Sequence, residues 1–111
     1  PIRQEVATII REMMLGITRT GGTGTRAAVQ GYTVAGKTGT AQKPIDGTYS
    51  QTDYYATFVG FIPAVNPEIA ILVTVDTPRP QHTGGYVAAP VFAEIAASVM
   101  QYWEIPPDDV L

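Results

Sequence analysis

The sequence contains no cysteine and one histidine, and charged residues make up 15% of its 111 residues. The lack of cysteine excludes a disulfide framework and thiolate chemistry. A single histidine falls short of the several converging ligands that zinc sites use. The formal net charge of −3, with no lysine/arginine cluster, argues against nucleic-acid binding. No apolar run approaches the roughly 20 residues that cross a bilayer. We therefore expect this chain to have no metal, no cofactor and no nucleic-acid partner.

Helical periodicity appears at both ends of the chain. Apolar residues recur at helical spacing from Val6 to Ile17, which predicts an amphipathic helix that ends near Gly16. The same period returns over Ala89–Trp103, where few polar residues interrupt it, so most of the surface of that helix is expected to be covered. The segment 81–88 between the last strand and this helix is predicted to be a loop.

Three extended segments lie between the helices, and they predict an α+β fold in the order helix-strand-strand-strand-helix. The predicted strands are Thr33–Gln42, Tyr54–Ile62 and Ile69–Val75. The segment 43–53 is predicted to be a hairpin connection or a longer loop. The last strand is nearly all apolar, which predicts a central strand covered on both faces. A short turn precedes it, which favours antiparallel pairing with the strand before.

The stretch GYTVAGKTGTAQ, residues 31–42, fits two catalytic signatures. It matches the phosphate-binding P-loop pattern, and Lys37-Thr38-Gly39 matches the K-T-G motif of penicillin-recognising enzymes. A P-loop needs a helix that begins at its Lys-Thr pair. Gly39 and Pro44 follow too closely for such a helix. The sequence therefore favours a strand here.

On a strand, the K-T-G residues supply a cation, a hydroxyl group and a position where a ligand can approach the backbone. Strict alternation places Lys37 and Thr38 on opposite faces. Both residues can then serve one site only at a sheet edge or with a local twist.

Four spaced motifs extend this signal over nearly the whole chain, together with the terminal Ile105-Pro-Pro-Asp. In this order they resemble the C-terminal part of the transpeptidase domain of class B penicillin-binding proteins, and K-T-G is a known signature of penicillin-binding proteins. The motifs are Thr23-Gly-Thr25, Ala35–Gln42, Phe58–Pro63 and Gly84–Phe92.

The resemblance implies a five-stranded antiparallel sheet flanked by helices. It implies a D,D-transpeptidase that forms a serine acyl-enzyme with peptidoglycan stem peptides and is acylated by β-lactam antibiotics. It also implies a place on the extracytoplasmic face of the bacterial plasma membrane, an N-terminal anchor absent from this chain, and cell-division or elongation membrane proteins as partners.

The family's nucleophile motif S-x-x-K and its S-x-N motif are missing. The chain has two serines, Ser50 and Ser98, and neither begins either motif. We therefore expect residues 1–111 to be the C-terminal segment of the domain, incomplete without an upstream segment of the same protein or a separate chain produced by cleavage. A β-lactam sensor or a β-lactamase of the same fold is the alternative.

Matching the motifs residue by residue gives roles for the K-T-G strand. Lys37 becomes the cation directed toward the second-motif serine and the substrate. Thr38 and Thr40 become the hydroxyls that bind the substrate carboxylate, and the backbone N–H of Thr40 becomes an oxyanion-hole donor. Gly39 keeps the strand open to the ligand. Lys37 and Thr40 are thus the predicted catalytic residues.

Three further residues are expected to border the cleft. Tyr54 begins the next predicted strand, and His82 and Thr83 lie in the loop before the Gly84-Gly85 pair. A solvated loop histidine is the simpler interpretation of His82.

Overall fold

The computed structural model of the protein describes residues 1–109, which form a three-stranded antiparallel sheet and three helices. The α+β class and the predicted order of the main elements are confirmed, and the pairing of the last two strands is antiparallel as expected. One helical turn lies inside the segment predicted to be a loop. The elements are α1 (Gln4–Thr18), β1 (Ala35–Ile45), β2 (Thr48–Ile62), β3 (Ile69–Asp76), α2 (Gly84–Val87) and α3 (Ala89–Tyr102), with a 3-10 turn at Thr25–Ala27.

β1 and β2 form a long hairpin, which is one of the two alternatives predicted for 43–53, whereas the longer loop is wrong because most of this segment is strand. Only Asp46 and Gly47 form the turn, and both have positive φ, 51° and 80°. Two such residues suit the tight turns whose twist matches that of antiparallel strands. The pairing continues almost to the turn, with a register shift between Gln42 and Pro44. A proline has no N–H for the ladder, which accounts for an irregularity at this point.

β1 starts at Ala35, two residues later than predicted, because Thr33 forms hydrogen bonds with Asp108 and not with a neighbouring strand. The backbone N–H of Thr33 donates to the Asp108 carboxylate at 2.8 Å, and its hydroxyl donates to the other carboxylate oxygen. The Tyr32 hydroxyl donates to the carbonyl of Ile105. The terminal Ile105-Pro-Pro-Asp segment therefore fixes the entry into β1.

β3 is not the central strand that its apolar run predicted. The strand order among residues 1–109 is β1-β2-β3, so β3 lies at an edge of the sheet. Its side chains alternate in burial: Ile71 and Val73 pack against the core, whereas Leu72 is 65% exposed. The second apolar face of β3 is thus open in the described part of the chain.

The core lies between one face of the sheet and α3. Phe58 of β2 and Phe92 of α3 are fully buried, and their rings meet edge to face with centroids 4.8 Å apart. Ile62 and Met100 complete the large side chains of this cluster. α3 ends at Tyr102 and leaves Val91 and Ile95 exposed, so its predicted coverage on most sides is wrong.

α1 has the predicted amphipathic pattern but ends at Thr18, two residues beyond Gly16. The Thr18 hydroxyl is buried and donates to the carbonyl of Val34 at 2.6 Å, which ties the end of the helix to the start of β1. Much of the apolar face of α1 is exposed, including Ile9 and Met13. Within residues 1–109, no helix combines the length and the apolarity needed to span a membrane.

Candidate functional site

The K-T-G-T sequence, residues 37–40, lies extended within β1. Its partner residues on β2 are Val59 to Ala56, in regular antiparallel register. The P-loop hypothesis is therefore wrong, because a P-loop would begin a helix at the Lys-Thr pair.

Thr38 and Thr40 face α2 and the Thr23-Gly-Thr25 loop, which both pack against β1. The backbone N–H of Gly84 donates to the Thr40 hydroxyl oxygen at 3.1 Å. The hydroxyl oxygens of Thr38 and Thr23 lie 3.2 Å apart. Three segments that are distant in sequence thus meet at the two K-T-G-T hydroxyls.

The glycine pair that begins α2 permits this close approach. A Cβ on Gly84 would lie 2.2 Å from the carbonyl oxygen of Thr57 and 2.5 Å from that of Gly39. A Cβ on Gly85 would lie 2.3 Å from the carbonyl oxygen of Thr23. Because these neighbours are backbone atoms, a side chain here would have to move α2 or the strands.

The meeting point borders an open cavity of about 400 Å³ that is lined by several hydroxyl groups. Uncharged hydroxyls of this kind donate to oxyanions such as a carboxylate. The cavity brings together three of the predicted site residues, Thr38, Thr40 and Thr83. Its other lining residues are Thr23, Thr25, Arg26, Gly85 and Tyr86.

Lys37 is exposed and reaches around the edge of β1. Its Nζ donates to the carbonyl of Thr38 at 2.9 Å. β1 pairs only with β2 within residues 1–109, so its other edge is open. The Lys37 ammonium therefore lies at the open edge, next to the Thr38 carbonyl. A position at a sheet edge is one of the two ways in which Lys37 and Thr38, on opposite faces of the strand, can serve one site. A Cβ on Gly39 would make an ordinary van der Waals contact with Thr57, at 3.7 Å. The expectation that Gly39 keeps the strand open to the ligand remains a prediction.

Tyr54 and His82 lie together but apart from the hydroxyl cavity. Their rings stack with centroids 4.2 Å apart and planes 14° from parallel. Neither residue lines the cavity, whereas Thr83, the next residue along, does. The expectation that Tyr54 and His82 border the cleft remains a prediction.

Two ion pairs join neighbouring strands and the segment after β3: Arg79 pairs with Asp53 of β2, and Lys43 of β1 pairs with Asp76 at the end of β3. Arg79 donates to the Asp53 carboxylate, and Lys43 donates to Asp76 at 2.6 Å. The hydrogen bond from Arg79 lowers the pKa of Asp53, and the one from Lys43 lowers the pKa of Asp76. The same bond with Asp76 raises the pKa of Lys43.

These directions predict how the two ion pairs depend on pH. A lowered carboxyl pKa means that the stabilisation is complete above the ordinary value of 3.8 and is lost as the pH falls through the folded value. For Lys43 the stabilisation is present below 10.5 and is lost as the pH rises through the raised value. We expect carbon NMR titration of the folded protein to place both aspartate midpoints below 3.8.

Each ion pair provides the control for the other. Arg79→Gln should raise the midpoint of Asp53 and leave that of Asp76 unchanged. Lys43→Gln should mainly raise the midpoint of Asp76, with a smaller rise for Asp53, because the charge of Lys43 also lowers the pKa of Asp53. A wild-type midpoint at or above 3.8 for either aspartate would contradict the prediction for that ion pair.

Sequence reasoning did not assign site roles to Arg26, Tyr86 or the glycine pair. The Thr23-Gly-Thr25 motif was a usable signal, because it precedes Arg26 directly. Two adjacent glycines before a helix also indicate a close backbone contact. Arg26 precedes all three strands in the sequence and Tyr86 follows them. No local pattern therefore indicates the contact between these two residues.

Comparison with known proteins assigns the family. The family model for the penicillin binding protein transpeptidase domain matches residues 1–97. A probable peptidoglycan D,D-transpeptidase PenA of Neisseria flavescens is 40% identical over 96% of this chain and 27% of its own length. The PenA of Neisseria gonorrhoeae is 41% identical over 95% of this chain and 18% of its own. The chain thus spans about a quarter or less of these relatives.

Solved structures agree in fold. The apo transpeptidase domain of penicillin-binding protein 3 from Burkholderia pseudomallei matches with a TM-score of 0.81 and 40% identity, over 90% of this chain and 30% of that one. Penicillin-binding protein 3 from Mycobacterium tuberculosis, solved with ampicillin, matches with a TM-score of 0.82 and 36% identity, over 95% of this chain and 26% of that one. The resemblance drawn from the four motifs is confirmed, and the chain belongs to the penicillin binding protein transpeptidase domain family.

Proposed function

We propose that this chain is the C-terminal segment of a serine D,D-transpeptidase domain that cross-links peptidoglycan stem peptides and is acylated by β-lactams. One observation carries the proposal. The K-T-G-T residues lie on an open strand edge, and their hydroxyls converge with the Thr23 loop and the start of α2. This arrangement offers a carboxylate several donors and leaves the strand backbone accessible to a peptide.

The chemistry assigned to the site is acyl transfer. A serine Oγ attacks the carbonyl carbon between the two terminal D-alanines, the C–N bond breaks, and the last D-alanine leaves with a proton on its amine. An amine of a second stem peptide then displaces the serine from the ester. In this scheme Lys37 supplies positive charge beside the serine, and the Thr40 N–H stabilises the oxyanion. Thr38 and Thr40 hold the terminal carboxylate.

The serine has to come from an upstream segment, because Ser50 and Ser98 lie in neither family motif. The small share of each relative that this chain spans supports an upstream segment. The open apolar face of β3 supports it as well. We propose that this segment also carries an anchor that holds the domain on the extracytoplasmic side of the plasma membrane, where division or elongation proteins are its partners.

Labelling with a fluorescent penicillin tests the proposal. The test uses the complete transpeptidase, meaning this chain together with the segment that carries the serine. We expect prompt covalent labelling that persists for many minutes, together with release of D-alanine from a D-Ala-D-Ala peptide in the presence of an amine acceptor. Absence of labelling would refute the proposal. Rapid release of the label would indicate a β-lactamase, and lasting label without D-alanine release would indicate a sensor.

Alone, residues 1–111 are expected to associate or aggregate. β3 has an unpaired edge within residues 1–109, and exposed apolar side chains lie on that strand and on α1. Size-exclusion chromatography and thermal melting of the isolated segment measure this. A monodisperse protein that melts cooperatively would show that the segment needs no upstream partner.

A further inference from the structure

Arg26 is a cation beside the hydroxyl cavity that the acyl-transfer scheme does not use. Its guanidinium carbon lies 4.1 Å from the centroid of the Tyr86 ring, and both residues line the cavity. The ion pairs among residues 1–109 involve Arg3, Lys43 and Arg79, so Arg26 has no acidic partner in that part of the chain. No aspartate or glutamate lines the cavity.

The fold holds Arg26 at this place from two sides. Arg26 belongs to the 3-10 turn at Thr25–Ala27, and Ala27 is fully buried in the core. Tyr86 belongs to α2, whose first residue donates its N–H to Thr40. Because Ala27 anchors the turn in the core and the start of α2 is tied to Thr40, the contact between Arg26 and Tyr86 lies beside the K-T-G-T hydroxyls.

The chemistry of the cavity suits a carboxylate that needs a counter-charge. Hydroxyl groups donate hydrogen bonds but carry no net charge. A guanidinium adds a full charge and two parallel N–H donors that match the two oxygens of a carboxylate. Lys37 does not line the cavity, so Arg26 is the cation among its lining residues.

We propose that Arg26 is a specificity-determining residue that binds the carboxylate of the substrate, together with the Thr38 and Thr40 hydroxyls. The ligand is the C-terminal carboxylate of the donor stem peptide or the ring carboxylate of a β-lactam. The inference rests on the proposed function. It adds that recognition of the negative charge depends on a residue outside the K-T-G-T strand, held in place by the Tyr86 ring.

The test compares a penicillin that has a free carboxylate with the same penicillin as its methyl ester. Acylation rates of the complete transpeptidase are measured for benzylpenicillin and benzylpenicillin methyl ester, in the wild type and in Arg26→Gln. We expect benzylpenicillin to acylate the variant about 10-fold more slowly than the wild type, since one charge-assisted contact is lost. We expect the rate with the ester to remain within about 2-fold, since the ester carries no charge to recognise.

Arg19→Gln is the matched control. Arg19 is also exposed, and its replacement removes the same charge, but Arg19 does not line the cavity. Its acid-to-ester rate ratio should equal that of the wild type. Raising the ionic strength should slow acylation by the acid in the wild type and in Arg19→Gln, and should have less effect in Arg26→Gln.

Variants of Tyr86 test whether the aromatic ring positions Arg26. Tyr86→Phe keeps a ring face for the guanidinium and should retain the wild-type acid-to-ester ratio. Tyr86→Leu removes the ring and should lower that ratio in the direction of Arg26→Gln. The ester rate reports separately whether α2 remains intact in the variant.

The outcomes separate this inference from the proposed function. If the wild type is not acylated by either compound, the proposed function fails. If the wild type is acylated and Arg26→Gln slows both compounds equally, or slows neither, the role of Arg26 in carboxylate recognition is refuted while the proposed function stands.

Discussion

Replacing Lys37 with alanine is expected to lower the rate of acylation by penicillin about 10²–10³-fold, the range typical for loss of one group that stabilises the charge of the transition state. The Lys37 side chain is exposed, and its one hydrogen bond among residues 1–109 is to the carbonyl of Thr38. Folding should therefore be unaffected, with a change in the free energy of unfolding within about 0.5 kcal/mol. Stopped-flow acylation and thermal melting of the complete transpeptidase measure the two quantities.

Lys43→Ala provides the matched control on the same strand. It removes the same charge, but the Lys43 ammonium is paired with Asp76 at the far end of the β1–β2 hairpin. It should acylate at close to the wild-type rate. If Lys37→Ala were acylated at the wild-type rate, the assigned role of Lys37 would be contradicted. An equal loss of acylation rate in Lys37→Ala and Lys43→Ala would contradict it as well.

Replacing Gly84 with alanine is expected to slow acylation at least about 10²-fold, because it disturbs the oxyanion and carboxylate sites together. The new Cβ would lie 2.2 Å from the Thr57 carbonyl oxygen, which belongs to the sheet and cannot move freely. α2 would have to shift away from β1, and the hydrogen bond from the Gly84 N–H to the Thr40 hydroxyl oxygen would be lost. Acylation rates with benzylpenicillin measure the effect.

Gly16→Ala is the corresponding control, since a Cβ on Gly16 would meet no atom within 4 Å. Alanine within α1 should even stabilise the helix, by about 0.5–1 kcal/mol. The acylation rate of Gly16→Ala should match that of the wild type. If Gly84→Ala also acylated normally, the packing of α2 on β1 would have no part in the function.

The strand that carries the K-T-G motif was predictable because local chemistry determines it. Gly39 and Pro44 prevent a helix, and the β-branched residues before them favour an extended chain. The convergence of Thr38, Thr40 and Thr83 followed from the motif resemblance. These three residues line one cavity, and their roles remain proposals.

The parts that sequence reasoning missed depend on contacts between distant segments. The polar residues around Asp46 look like a loop, yet the long β1–β2 pairing extends them into strands. The apolar run of β3 indicates two covered faces, although the described residues cover one. Burial depends on which neighbours are present, and periodicity within one strand does not reveal that. The Arg26–Tyr86 contact likewise joins two segments that are distant in the sequence.

The hydrogen bonds between Thr33 and Asp108 make the entry into β1 depend on the segment that follows α3. Loss of the Asp108 carboxylate would leave the Thr33 amide, which is largely buried, without its acceptor. An unsatisfied buried amide costs about 1–3 kcal/mol, and the cost here would fall on the residues that lead directly into β1. The segment around Asp108 therefore governs how firmly the start of the K-T-G strand is held.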